Sequence, residues 1–168
     1  MPVSDRSREE GADPVERARE ICLRQLEARP RSRAELAATL DRRGVDPETA
    51  EIVLNRLVAV GLVDDKAFAA ALVSSARVNR GLGRRGLAHE LRRRGVDPEI
   101  SSVALQAVDG QDEEATARTL VRRRLATMDD VPAQVRARRL AALLDRRGYP
   151  SDLVMRVVTE ELEGDAAD

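Results

Sequence analysis

Leucine stands eight and four positions before a glycine three times along the chain: Leu36 and Leu40 before Gly44, Leu87 and Leu91 before Gly95, Leu140 and Leu144 before Gly148. Side chains four apart share one face of a helix, so each copy predicts an amphipathic helix with a fixed buried stripe. Alanine follows the first leucine every time, as Ala37, Ala88 and Ala141. The glycine sits where a helix ends in a left-handed residue. In the first two copies Val-Asp-Pro comes next, offering Asp46 or Asp97 as N-cap and Pro47 or Pro98 as first helical residue. In the third, Pro150 precedes Ser151, the expected cap. A further helix then starts in each copy. Its apolar stripe is expected to be Ala50, Val53, Leu54, Leu57 and Val58 in the first, Ile100, Val103, Ala104, Ala107 and Val108 in the second, and Val154, Val157, Val158 and Leu162 in the third.

A helical stretch also precedes each pair, over Val15 to Ala28, Asp65 to Arg80 and Asp112 to Thr127, with stripes through Cys22, Phe68 and Val121. Ser32 and Glu35 have the spacing of a capping box. The pattern predicts an all-α fold of three tandem three-helix repeats, covering 15–62, 63–110 and 111–163 and forming an elongated modular body. A disordered N-terminal segment, 1–14, and an acidic C-terminal tail, 164–168, are expected to flank them. One triplet buries too few side chains to stand firmly alone, since a fully buried Leu or Val contributes roughly 1.5–3 kcal/mol, so neighbouring triplets are expected to pack together.

Composition agrees with helices. Phe68 and Tyr149 are the only aromatic residues, leaving a core of Leu, Val, Ile and Ala. Basic and acidic residues number 29 and 30, so overall charge does not announce a nucleic-acid binder. The distribution is uneven, with acids gathered at Glu160 to Asp168 behind a mildly basic body. No apolar run reads as a signal peptide or membrane span, and the single Cys22 forms no internal disulfide, which together imply a cytoplasmic protein with no membrane partner. Cys22 is read as a core residue.

Little of the candidate chemistry survives inspection. Gly81 to Gly86, GLGRRG, has the letters of a dinucleotide fingerprint, but a helix rather than a strand precedes it, so it reads as a helix stop, a turn and a helix start. His89 is the only histidine, so no histidine-based triad or His-type metal site can be assembled. Asp64/Asp65 and Asp129/Asp130 precede helices and read as caps and dipole partners. No catalytic residue, cofactor or metal is expected.

The repeat supplies an internal control for its basic residues. With Leu87 and Leu91 buried, Arg85, His89 and Arg92 fall on the opposite face, with Arg93 at its edge. The equivalent positions are Ala34, Ala38, Asp41 and Arg42 in the first copy and Arg138, Ala142, Asp145 and Arg146 in the third. Between Arg77 and Arg94 stand Arg77, Arg80, Arg84, Arg85, Arg92, Arg93 and Arg94 against one acid, Glu90. The middle copy is therefore the expected contact surface for phosphates or an acidic protein. Arg122, Arg123 and Arg124 form a secondary candidate. The pairs Arg42/Arg43, Arg93/Arg94 and Arg146/Arg147 recur near helix C-termini, where they suit the helix dipole, and are read as structural. Scarce aromatics argue against base stacking, so DNA contact is expected to be electrostatic and sequence-independent.

GLVDDKAFAAALV, Gly61 to Val73, and GLGRRGLAHELRRRGVD, Gly81 to Asp97, resemble the RecX family, bacterial regulators of the RecA recombinase. The resemblance spans roughly residues 16 to 162 and is strongest at Gly61, Asp64, Asp65, Phe68 and Ala69, then Gly83, Leu87, Glu90, Leu91, Arg94 and Gly95. Where the family usually places an aromatic and an arginine, this chain has Leu72 and Ala76. The resemblance implies a non-catalytic modulator that lodges in the groove of the RecA filament on single-stranded DNA, damps its ATP hydrolysis and strand exchange, favours filament loss, and so adjusts recombination and DNA repair; a monomer is expected. The alternative is a winged-helix transcription regulator, because Ser32 to Val63 scans like a helix-turn-helix followed by the first strand of a wing.

Overall fold

A computed structural model of the chain describes residues 13–166. The expectation for 1–14 therefore lies, apart from Asp13 and Pro14, outside the described residues, as does the last part of the acidic tail. Among the described residues there are nine helices and no strand. They are α1 (Pro14–Ala28), α2 (Arg33–Arg42), α3 (Pro47–Ala59), α4 (Asp65–Arg80), α5 (Arg84–Arg93), α6 (Pro98–Gln106), α7 (Gly110–Leu125), α8 (Ala133–Arg146) and α9 (Ser151–Asp165). The chain is all-α, in triplets α1–α3, α4–α6 and α7–α9. The wing strand required by the rival reading is missing, since α4 begins three residues after Leu62.

The caps follow the expected chemistry, with exceptions. Asp46 accepts from the Thr49 N–H at 2.9 Å and Asp97 from the Glu99 N–H at 2.8 Å, each ahead of a first-position proline. Asp64 accepts from the Ala67 N–H at 3.0 Å. Asp109, not foreseen, accepts from the Gln111 N–H and starts α7 two residues earlier than expected. Ser151 is not a cap: it is the first residue of α9, and Pro150 holds the cap position through its carbonyl, which accepts from Val154. Asp129 and Asp130 do not cap α8 either. Pro132 occupies that position without a side-chain hydrogen bond.

All three repeated bends turn on a left-handed glycine. Gly44, Gly95 and Gly148 have φ of 74°, 70° and 83°, the left-handed region that glycine enters without a Cβ clash. In the first bend Gly44 N–H donates to Asp41 O and Val45 N–H to Leu40 O, satisfying two carbonyls at the end of α2. Gly148 and Tyr149 repeat these bonds to Asp145 and Leu144.

The chain divides into two compact units, one comprising the residues up to Phe68 with Arg94–Val96, the other Ala69–Arg93 with the residues from Asp97 onward. The first has a core of Ala18, Cys22, Leu36, Leu40, Val53, Leu54, Leu57 and Val63. In the second, α7, α8 and α9 close over Ala117, Val121, Leu140, Leu144, Tyr149 and Val157. Two expected stripes need correction. Val58 is 45 % exposed at the edge of the α3 stripe, one residue before α3 ends. On α6 and just past its end, Val103 is 66 % exposed and the C-cap Ala107 is exposed, while Leu105 and Val108 are buried. The Gly44-to-Gly95 register already places Ala104, Leu105 and Val108 at the positions of the buried Val53, Leu54 and Leu57, so the true face is rotated by one residue from the one that apolar letters alone select.

In both units a bend meets the start of an earlier α2-type helix. In the first, the Ser32 hydroxyl donates to Arg94 O at 2.6 Å while its oxygen accepts from Glu35 N–H at 3.1 Å, completing the capping box with Glu35. In the second, Gly83 N–H donates to Arg147 O at 2.9 Å and Arg85 N–H to Gly148 O at 3.2 Å. The buried Tyr149 hydroxyl donates to Gly81 O at 2.8 Å. The approach is backbone on backbone: a Cβ on Gly148 would collide with Gly86 N, and one on Gly86 with Arg147 O.

This contrast generates a stability prediction. Gly44→Ala, which meets nothing within 4 Å, should cost only the left-handed penalty of about 1–2 kcal/mol, whereas Gly148→Ala adds a backbone collision and should cost clearly more in urea unfolding; equal losses would contradict the packing described. A second prediction concerns alkali. Burial pushes the Cys22 thiol from 9.0 up to about 11, and burial with the nearby Glu113 charge pushes Tyr149 from 10.0 up to about 12. Both groups keep their protons longer when folded, so their contribution is whole below pH 9 and is lost as pH rises toward 12. The thermal midpoint should fall over that window, and Cys22→Ala should flatten its lower part; a midpoint constant from pH 9 to 12 would contradict it.

Candidate functional site

The glycine-rich GLGRRG segment is a packing device. Its N–H groups at Gly83, Arg84 and Arg85, which a phosphate would need, are held by Arg147 O, by Glu113 Oε1 at 2.7 Å and by Gly148 O. A Cβ on Gly83 would stand 2.9 Å from the Tyr149 ring. Glu113 is itself buried, one turn before Ala117 on the α7 stripe. Sequence reading missed it, although a carboxylate in line with Ala117, Val121 and Leu125 was the available signal.

The basic residues of the middle copy separate into engaged and unengaged sets. Arg77 lies 3.4 Å from Asp112. Glu90, only 5 % exposed, accepts from Arg93 Nη2 through both oxygens, at 2.8 and 3.0 Å, and has Arg80 Nη2 at 3.7 Å. That carboxylate raises the Arg93 pKa by hydrogen bond and charge. Arg94 pairs with Glu35 at 2.9 Å. Arg84, Arg85 and Arg92 are exposed, and none has a carboxylate within ion-pair distance among the described residues. His89 is exposed on the same face of α5, with Nδ1 3.3 Å from Arg92 Nη2. The face opposite Leu87 and Leu91 is therefore Arg85, His89 and Arg92, while the buried acid holds Arg93.

The secondary candidate also divides. Arg122 pairs with Glu161 at 2.7 Å, while Arg123 and Arg124 are exposed without a carboxylate partner among the described residues, Arg124 reaching Thr127 at 3.5 Å. The acidic segment from Glu160 runs on as α9 to Asp165 and is consumed internally: Glu160 and Glu161 pair with Arg118, and Asp165 with Arg136 at 2.6 Å. Arg118 also meets Glu114, which Arg156 reaches at 2.9 Å.

No group of three or more His, Cys, Asp or Glu side chains able to hold a metal occurs among the described residues, and no described helix is long and apolar enough to cross a membrane. The fold defines a class: an all-helical protein built of three-helix units, with several exposed arginines that have no acid partner among the described residues. Residues 18–57 match the family model for the first three-helix domain of RecX, and residues 64–105 that for the second. The regulatory protein RecX of Thermobifida fusca (strain YX) is 50 % identical over 156 residues, 93 % of this chain and 84 % of that one. That of Streptomyces coelicolor (strain ATCC BAA-471 / A3(2) / M145) is 47 % identical, over 93 % and 83 %. The crystal structure of RecX from Lactobacillus salivarius superposes with a TM-score of 0.78 at 18 % identity, covering 90 % of this chain and 97 % of that one, and so shares the fold. The chain belongs to the RecX family of regulatory proteins, which are not enzymes.

The carboxylates that neutralise these arginines set an acid limit. Burial raises Glu35, but hydrogen bonds from Arg29, the Ser32 backbone and Arg94 outweigh it and hold the group below its ordinary 4.5. Arg122 and Arg118 do the same for Glu161. A depressed folded pKa stabilises above 4.5 and is lost as pH falls through the lowered values. The thermal midpoint should drop as pH falls below 4.5, and Glu35→Gln should shallow that drop; an unchanged acid limb would show the pairing to be absent in solution.

Proposed function

We propose that the chain is a non-catalytic, cytoplasmic regulator that lodges as a monomer in the groove of a RecA recombinase filament on DNA and lowers its ATP hydrolysis and strand exchange. Family membership supports a regulator of recombination. The observation that carries the site is the α5 face of Arg85, His89 and Arg92, exposed and without a neutralising carboxylate, where the other copies carry Ala34, Ala38 and Asp41 or Arg138, Ala142 and Asp145. The modules would be 15–62, 63–110 and 111–163, with the middle one as anchor. Arg84 stands beside it at the first turn of α5, Arg123 and Arg124 offer a second contact, and Arg77, Arg80, Arg93 and Arg122 act within the fold through their acid partners. Several linked contacts along a polymer gain from effective concentration, so each one need only be weak.

Arg85→Glu with Arg92→Glu leaves the Glu90–Arg93 pair intact and reverses two exposed charges. The concentration giving half-inhibition of recombinase ATPase should rise by about tenfold or more, with far-UV circular dichroism unchanged. A folded double variant that inhibits like the parent would overturn the site.

A further inference from the structure

Two equivalent junctions, differing in charge, mark a second element of the surface. In the first, Arg33 at the start of α2 pairs with Glu51 at 2.7 Å, and Arg94 in the facing bend pairs with Glu35 at 2.9 Å. The repeat register carries Arg33 to Arg84 and Arg94 to Arg147, but it carries Glu35 to Gly86 and Glu51 to Ser102. Both neutralising carboxylates have been removed from the second junction. A further arginine has been added, since Ala34 corresponds to Arg85.

The second junction brings the start of α5 against the end of α8 through Gly83 N–H to Arg147 O and Arg85 N–H to Gly148 O. Arg84, Arg85 and Arg146 are exposed there, and Arg147 donates through Nη1 to Arg80 O. None of the four has an ion pair with a carboxylate among the described residues, Asp145 included; the buried Glu113 accepts from the Arg84 backbone N–H at 2.7 Å, so a single negative charge stands against four arginines. Isolated exposed arginines are ordinary; three exposed and one half-buried, brought together by backbone contacts at a junction whose twin is neutralised, are not.

We infer that the junction of Arg84, Arg85, Arg146 and Arg147 is a binding surface for the phosphodiester backbone of nucleic acid. This deepens the filament reading and rests on it for where the chain meets DNA: it assigns the Arg85 end of the α5 face to the DNA. The surface suits a strand better than a protein. Protein interfaces centre on a desolvated apolar patch, whereas nucleic-acid interfaces are polar and strongly basic. None of the exposed large apolar side chains, Ile52, Val58, Val60, Leu62, Val78, Val103 and Met155, lies in the segments 83–86 and 145–149 that build the junction. Guanidinium groups match phosphate oxygens in paired hydrogen bonds.

The test is fluorescence anisotropy of a labelled single-stranded oligonucleotide with the full chain, without recombinase, across a salt series. Arg84→Gln, Arg85→Gln and Arg146→Gln together should weaken binding about tenfold or more and shallow the log–log salt slope by about 2, at roughly 0.7 per lost single-strand phosphate contact. Arg17→Gln, Arg42→Gln and Arg43→Gln, exposed arginines outside the junction, remove the same charge and should weaken binding less than threefold. Ser102→Glu, an exposed position that restores the first copy's acid, should lower affinity severalfold without removing an arginine. The same losses on a duplex would assign the backbone of either form, and losses confined to the single strand would assign that strand alone. Equal losses in junction and control variants would overturn the inference, as would a junction variant that keeps DNA affinity but loses recombinase inhibition, which would assign an acidic protein surface instead. A parent chain that binds DNA through the junction yet leaves recombinase ATPase untouched would sink the filament reading and leave this one standing.

Discussion

Gly148 and Gly86 meet backbone to backbone, and the second unit depends on that contact. A helix begins with N–H groups that have no partner of their own. At α5 the bend between α8 and α9 supplies carbonyls for two of them and α7 supplies the Glu113 carboxylate for a third, so α5 is capped almost entirely from elsewhere in its unit. Such a cap requires a left-handed residue at position 148 and no side chain at position 86. At α2 the Ser32–Glu35 capping box supplies partners for the Ser32 and Glu35 N–H groups and Asp65 for that of Arg33, and the Ser32 hydroxyl then anchors the Arg94 carbonyl. One packing problem has two solutions, one built of side chains and one that uses backbone carbonyls beside a single carboxylate.

The two solutions differ in charge because the side-chain version brings acids with it. Glu35 caps α2 and also receives Arg29 and Arg94. The glycine at its equivalent, Gly86, makes close approach possible and in the same step leaves the neighbouring arginines without a carboxylate. Elsewhere the acids are spent on structure: Glu160, Glu161 and Asp165 hold α9 to Arg118, Arg122 and Arg136. A formal net charge of -1 therefore conceals a molecule in which many acids are committed while Arg84, Arg85 and Arg92 on α5 and Arg146 at the α8 end have no acid partner among the described residues.

The repeat was the most legible part of the sequence. Leucines at fixed distances from a glycine specify helix face, stop and turn by local geometry alone, and the core residues Leu36, Leu87 and Leu140 follow from it. Where residue identity competed with repeat register, register was the better guide. Val103 looks more like core than Ser101, yet Ser101 is half-buried and Val103 exposed, as the match to Ala50 and Ile52 implies. Ion pairing was not legible. Glu161 lies about forty residues from Arg118 and Arg122, and nothing local assigns one to the other. Glu90 illustrates the same limit: it is visible as the lone acid among seven arginines, but its burial, and hence its hold on Arg93, emerges only from packing.

In the proposed role, the arginines left without acids, rather than the basic residues as a whole, face the recombinase filament. Electron microscopy of a recombinase filament on DNA, decorated with the chain and resolved to helix level, tests it most directly. The account predicts continuous occupancy of the filament groove with Arg84, Arg85, Arg92 and the α8 end turned inward and α9 turned away. Decoration with α5 facing solvent, or contact made through the acid-paired Arg118–Arg122 side, would contradict it.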